Sequence, residues 1–196
     1  MDWDWLAGLN GLTDIRFENV PINTDTLVKC KRLVELTLIN CSVNDLSFVG
    51  HIKGLDTFIA FDMPHCDFSK LNNASQLDTL CLFNSSISDI QFLSGLSLGF
   101  LQLEDNAIKN INVLEEMTSC DTILLDNNMI EDISVFSRIK YHCSELSITD
   151  NRIQDISAIL AEDTISSLYI QRNRLSKRDK KKLLNEFEQH RRWIEV

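Results

Sequence analysis

Four stretches decide how this chain folds: LGFLQLEDNAI (Leu98–Ile108), CDTILLDNNMI (Cys120–Ile130), CSELSITDNRI (Cys143–Ile153) and ISSLYIQRNRL (Ile165–Leu175). Each has apolar residues at positions 1, 4, 6 and 11 and an asparagine at position 9. Toward the N-terminus four looser copies keep the same register. They run Leu12, Ile15, Phe17, Val20, Ile22; Leu33, Leu36, Leu38, Cys41, Val43; Leu55, Phe58, Ala60, Met63, His65; and Leu77, Leu80, Leu82, Ser85, Ile87. The eight copies recur every 21–23 residues. A fixed period of this length marks a solenoid, whose units bury their apolar faces only against one another. Alternation at positions 4 and 6 is the period of a strand with one buried face. The expectation is an α/β solenoid with a parallel sheet of about eight short strands.

After each strand the chain turns and enters a polar-Asp-apolar step: Asn44-Asp45-Leu46, Ser88-Asp89-Ile90, Glu131-Asp132-Ile133, Gln154-Asp155-Ile156. A carboxylate there accepts from unpaired backbone N–H groups and caps a short helix or 3₁₀ turn, so these aspartates read as structural. Asn106, Asn128, Asn151 and Asn173 share position 9, where an inward amide satisfies turn backbone that would otherwise be buried unpaired. Val20, Cys41, Met63 and Ser85 replace them in the first four copies. A less regular turn edge is expected there.

The chain reads as one domain: residues 1–11 an N-terminal cap, 12–175 the eight repeats, 176–196 a C-terminal cap. Trp3, Trp5, Leu6 and Leu9 are expected to cover the first layer. Ser176 N-caps a helix over about Lys177–His190 with Leu183, Leu184 and Phe187 on one face. Trp193, Ile194 and Val196 alternate as a closing strand.

With this spacing the chain resembles the leucine-rich repeat family, in the 22-residue Leu-x-x-Leu-x-Leu-x-x-Asn-x-Ile-x-Asp-Ile form of bacterial internalin-like and phosphatase-regulating proteins. The resemblance covers about residues 9–175. It implies a curved, right-handed solenoid with strands on the concave side, helical or 3₁₀ turns on the convex side, and a protein ligand in the concavity. Secreted internalins carry a signal peptide and a wall anchor; neither is read in these residues, so a host-cell adhesion role is not expected.

Composition narrows the partner. Net charge is −10. Residues 1–171 hold 10 basic and 25 acidic side chains, whereas residues 172–196 hold 9 basic and 4 acidic. An acidic body argues against wrapping nucleic acid and favours a partner with a basic surface. The basic run Lys180-Lys181-Lys182 reads as the solvated face of the cap helix. Six cysteines form no Cys-x-x-Cys pair. Cys41, Cys120 and Cys143 stand where other copies carry Asn, Leu or Ile, and read as small buried residues of a reducing compartment. No basic-then-apolar leader opens the chain and no run is long enough to span a membrane, so a cytoplasmic protein is expected.

If positions 4 and 6 face the core, positions 3, 5 and 7 face the concavity. Copies two to five then expose Ile39, Ile59, Phe61, Cys81, Phe83 and Phe100 on neighbouring strands, with Gln102 among them and Glu35, Asp62, Glu104, Asp105 and Asp126 around them. An apolar centre with a charged rim is the anatomy of a protein interface. Position 8 (Asn19, Asn40, Asp62, Asn84, Asp105, Asn127, Asp150) reads mainly as turn geometry. Chemistry finds no foothold. The four histidines, His51, His65, His142 and His190, fall in different repeats, and Cys81 has no neighbouring base to activate it. There is no phosphate loop and no zinc-ligand spacing. The sequence therefore points to a non-enzymatic binding module, without cofactor or metal, monomeric when free, not on nucleic acid or membrane. Its partner-binding residues would be Glu35, Ile39, Ile59, Phe61, Asp62, Phe83, Phe100, Gln102, Glu104 and Asp126. One version is an intracellular inhibitor or immunity protein for a basic toxin. The alternative is a scaffold or targeting subunit for a signalling enzyme such as a phosphatase.

Overall fold

A computed structural model describes residues 4–9, 11–43, 45–160 and 164–196 of the chain. Its strands are β1 (Asp14–Glu18), β2 (Glu35–Ile39), β3 (Thr57–Phe61), β4 (Thr79–Phe83), β5 (Ser97–Gln102), β6 (Ser119–Leu124), β7 (Cys143–Ser147), β8 (Ile165–Tyr169) and β9 (Trp193–Glu195). All nine pair in parallel, in sequence order, in a single sheet. A parallel neighbour one repeat away obliges the chain to return behind the sheet. It does so through short helical turns. These are α1 (Thr24–Leu27), α2 (Ser157–Leu160) and 3₁₀ turns at Val49–His51, Ser69–Asn73, Gln91–Leu93, Asn112–Glu116 and Ser134–Ser137. The result is a right-handed solenoid with the sheet on its concave side.

Positions 4 and 6 fill the space between sheet and turns. From Ile15 and Phe17 through Leu168 and Ile170, every residue in these two columns is buried. The strand register aligns like position with like, including the irregular third copy, where Phe58 pairs with Leu36 and Leu80. Each column is thus one continuous apolar ridge, and burial of each Leu, Ile or Phe is worth about 1.5–3 kcal/mol.

The aspartates sit as the polar-Asp-apolar step predicts. Asp45, Asp67, Asp89, Asp132 and Asp155 each accept from the backbone N–H two residues on, at 2.8–2.9 Å. Hydrogen bonds from the following serine hold the carboxyls of Asp45, Asp67, Asp132 and Asp155 below their ordinary range. Asn44 lies outside the described residues.

The asparagine column divides the molecule. Asn128 Oδ1 accepts from Ile108 N at 2.9 Å, while Nδ2 donates to the carbonyls of Leu103, Leu125 and Asp126 at 2.9–3.2 Å. Asn106, Asn151 and Asn173 repeat this set, gathering the position-6 and position-7 carbonyls of their own copy and the position-6 carbonyl of the copy before. In the first half substitutes do less. Ser85 Oγ accepts from Met63 N at 3.0 Å, and Met63 Sδ lies 3.2 Å from Cys41 N. The strands register the difference. β1–β4 occupy positions 3–7 of their copies, whereas β5–β8 end at position 5. Backbone bonds between copies still run past position 5 in the second half, from Leu103 N to the Leu124 carbonyl at 2.8 Å and from Asp105 N to the Asp126 carbonyl at 3.1 Å, and the asparagine amide bonds the turn carbonyls beside them.

Position 8 has one backbone requirement throughout. Asn19, Asn40, Asp62, Asn84, Asp105, Asn127, Asp150 and Arg172 all lie in the left-handed region, with φ between 45° and 56°. Asn and Asp tolerate it best among residues with a side chain. Their side chains also pair across repeats, two copies at a time. Asn40 donates to Asn19 at 2.7 Å, Asn84 to Asp62, Asn127 to Asp105, and Arg172 to Asp150 at 2.6 Å.

At the C-terminal end α3 (Lys177–Gln189) starts at Ser176, whose Oγ accepts from Asp179 N at 3.1 Å. Leu183 and Phe187 are fully buried, and the Arg192 guanidinium lies 4.2 Å above the Phe187 ring. Leu184, expected on the same face, is 45% exposed: one residue from Leu183 is a 100° rotation, enough to turn it outward. β9 closes the sheet as expected. At the other end, among the described residues of the cap, Leu6 joins the core; Trp5 and Leu9, expected to cover the first layer, are exposed. Trp3 lies outside the described residues.

Candidate functional site

Because β2, β3 and β4 run on to position 7, Ile39, Phe61 and Phe83 stand side by side on the sheet itself, directly paired in register. The Phe61 and Phe83 rings lie 4.8 Å apart at 43°, a tilted contact of the favoured kind. Both are half-buried, each shielding one side of the other. With Ile59 they form the apolar floor of a shallow groove of about 570 Å³, whose other walls are Asp14, Ile15, Arg16, Glu35, Thr37 and Ile39. Five of the sequence-predicted residues, Glu35, Ile39, Ile59, Phe61 and Phe83, come together here. Asp14 and Arg16 belong to the same groove and were missed. Their signal was present, since they hold positions 3 and 5 of the first copy beside Glu35 and Thr37.

The other five predicted residues lie outside the groove lining. Phe100 pairs with Thr79 at position 3, about 13 Å along the strand direction from the position-7 row. Gln102 donates to Glu104 on the same face. Asp126 is engaged by its neighbours: its Oδ1 accepts from Ser147 Oγ at 2.6 Å and Thr149 N at 2.7 Å. Asp62 accepts from Asn84 in the position-8 pairing. Glu104 and Asp126 follow the ends of β5 and β6, so they stand on the turn where their first-half counterparts stand on the strand.

Cys81 departs from the expected exposed surface. It pairs with Ile59 and Gln102 but is only 5% exposed, its short side chain sunk between two longer ones. Burial raises its thiol pKa to about 11, helped by the charges of Glu104 and Glu35. Such a thiol holds its proton at neutral pH and is a poor nucleophile. Burial also raises Cys66 and Cys143 to about 12. Among the described residues no group of three His, Cys, Asp or Glu is placed to hold a metal, and no helix is long and apolar enough to cross a membrane. A second hollow of about 420 Å³ opens beside the turns of copies three and four. Its two acids, Asp67 and Asp89, are the capping residues already described.

Solved structures share this architecture. Internalin C2 of Listeria monocytogenes matches 84% of this chain over 74% of its own, with a TM-score of 0.71 and 22% identity. Internalin F of the same species matches 94% of this chain over 55% of its own, with a TM-score of 0.73 and 20% identity. A leucine-rich repeat protein of Leptospira interrogans matches 97% over 62%, with a TM-score of 0.59 and 13% identity. This chain therefore spans a little over half of the latter two. The fold is the leucine-rich repeat solenoid. No family model and no curated protein matches the chain in sequence.

Proposed function

We propose that the chain is a non-enzymatic protein-binding module that holds its partner on the concave face, with Ile39, Ile59, Phe61 and Phe83 as the centre of contact. The observation that carries this is the paired Phe61 and Phe83 rings, half-open to solvent on strands that offer them no cover. Aromatic anchors at the centre of a patch are typical hot spots, and charged surroundings set rate and choice of partner. Glu35, Glu104 and the net charge of −10 favour a basic partner. A finer form of the proposal is an inhibitor or immunity protein that masks a basic toxin in the cytoplasm. Its free thiols, five of them buried and one partly so, suit a reducing compartment.

The test is capture of the native partner by the Phe61→Ala, Phe83→Ala double variant beside the wild type, with a denaturant melt of each. Binding should fall at least about 30-fold, as loss of roughly 2 kcal/mol at an anchor requires, while the variant stays folded. Undiminished capture would remove the groove from the interface.

A further inference from the structure

The concave sheet has acids along both of its edges, beside the groove on β1–β4 and beyond it. On the side where strands begin stand Asp14, Glu35 and Glu145 at position 3, with Asp56, Asp78 and Asp121 at position 2, one residue before the concave-facing column; on the side where they end stand Glu18, Asp62, Glu104, Asp105 and Asp126. Between the rows, positions 3, 5 and 7 of β1–β8 hold one base, Arg16, and it is paired with Glu18 at 3.2 Å. The rows run along the solenoid axis, at right angles to the strands. They are separated by about 13 Å from position 3 to position 7, and by about 20 Å where the acids stand at positions 2 and 8.

We infer that the occupant of this groove is a cationic amphipathic helix of the partner protein, lying along the solenoid axis with its apolar stripe on Phe61 and Phe83 and its lysines or arginines reaching both rows. The inference rests on the protein-binding proposal above and names the partner's chemistry. A helix with its side chains is about 10–12 Å across, which fits between the rows and leaves both within reach of a long basic side chain. It also projects side chains downward and to both flanks at once. An extended segment has only two opposite side-chain directions, so it cannot meet the apolar floor and both rows at once. The acids extend from β1 to β7, about 29 Å at the spacing of neighbouring strands, or roughly 19 helical residues.

The probe is a synthetic 19-residue Leu/Lys peptide with leucines on one helical face, against a shuffled peptide of the same composition whose leucines share no face. Fluorescence anisotropy with the full chain should show the amphipathic peptide binding at least about tenfold tighter, a difference of one good contact. The charge variants Asp14→Lys with Glu35→Lys, and separately Glu18→Lys with Glu104→Lys, should each weaken it and flatten its salt dependence. Loss confined to one row overturns the helix, because a helix between the rows must feel both. Equal binding of the two peptides also overturns it. If that equal binding still falls in the Phe61→Ala, Phe83→Ala variant, the face binds polypeptide in another form and the wider proposal stands. If it does not fall, the wider proposal goes as well.

Discussion

The two halves of the solenoid solve the same turn with different chemistry. In copies five to eight an asparagine at position 9 ties three carbonyls and at least one N–H, and the strand stops at position 5. In copies one to four valine, cysteine, methionine and serine stand there, and the strand continues to position 7. The extra two residues carry Ile39, Phe61 and Phe83 onto the flat of the sheet. The half with weaker turn bonding is therefore the half that presents an apolar surface. Side-chain bonding at position 9 and an apolar row at position 7 thus change together between the halves.

The sharpest way to break this comparison is Asn128→Ala. Four hydrogen bonds go, and buried carbonyls are left without donors, so a loss of about 2–3 kcal/mol is expected in a denaturant melt. A change of a few tenths would mean that the ladder does not distinguish the halves. Next comes the Phe61→Ala, Phe83→Ala pair. Full core rings would cost about 3–5 kcal/mol each. Half-buried and stacked on each other, the two together should cost about 2 kcal/mol, mostly from lost mutual contact and partial burial.

Smaller effects sharpen the first half. Ser85→Ala removes the acceptor of Met63 N and should cost about 1 kcal/mol. Met63→Leu removes only a sulfur contact and should stay within a few tenths, the ordinary range for a volume-conserving exchange. Acid, by contrast, should treat the halves alike. Asp45 and Asp67 in the first, Asp132 and Asp155 in the second, all titrate below the unfolded aspartate value of about 3.9. Their contribution is complete above that pH and is lost as pH falls through the lower folded values. Amide exchange between pH 5 and pH 2 should loosen both sets of turns together; protection lost in one half alone would contradict the shared capping.

Periodicity made the solenoid legible, because every copy repeats one spacing and the register of the sheet follows from it. Even Ala60 and Met63 of the third copy keep their columns, although His65, at the apolar position 11, is exposed and the next residue, Cys66, packs on the core instead. The facing of Phe61 and Phe83 followed from the same alternation. What escaped were properties of neighbours rather than of copies. Cys81 is buried because Ile59 and Gln102 are longer than it is, and Asp126 is engaged because copy seven offers Ser147 and Thr149. Strand length was hidden for a similar reason. It differs between the copies with asparagine at position 9 and those without, and spacing alone does not report that. Leu184 and Trp5 erred through assuming that each apolar residue near an end must be covered.

The position-8 pairs impose a grammar on the length of this molecule. Most solenoids can be lengthened or shortened by any whole number of copies. Here donors follow acceptors in twos, with Asp62 before Asn84, Asp105 before Asn127 and Asp150 before Arg172. Excising copy six, from Asn106 through Asn127, would bring the Asp105 and Asp150 carboxylates together at adjacent left-handed turns with no amide between them. Excising copies five and six together would leave Asn84 beside Asp150, with the order of acceptor and donor intact. The natural segment for grafting, deletion or duplication in this chain is therefore the doublet, not the repeat.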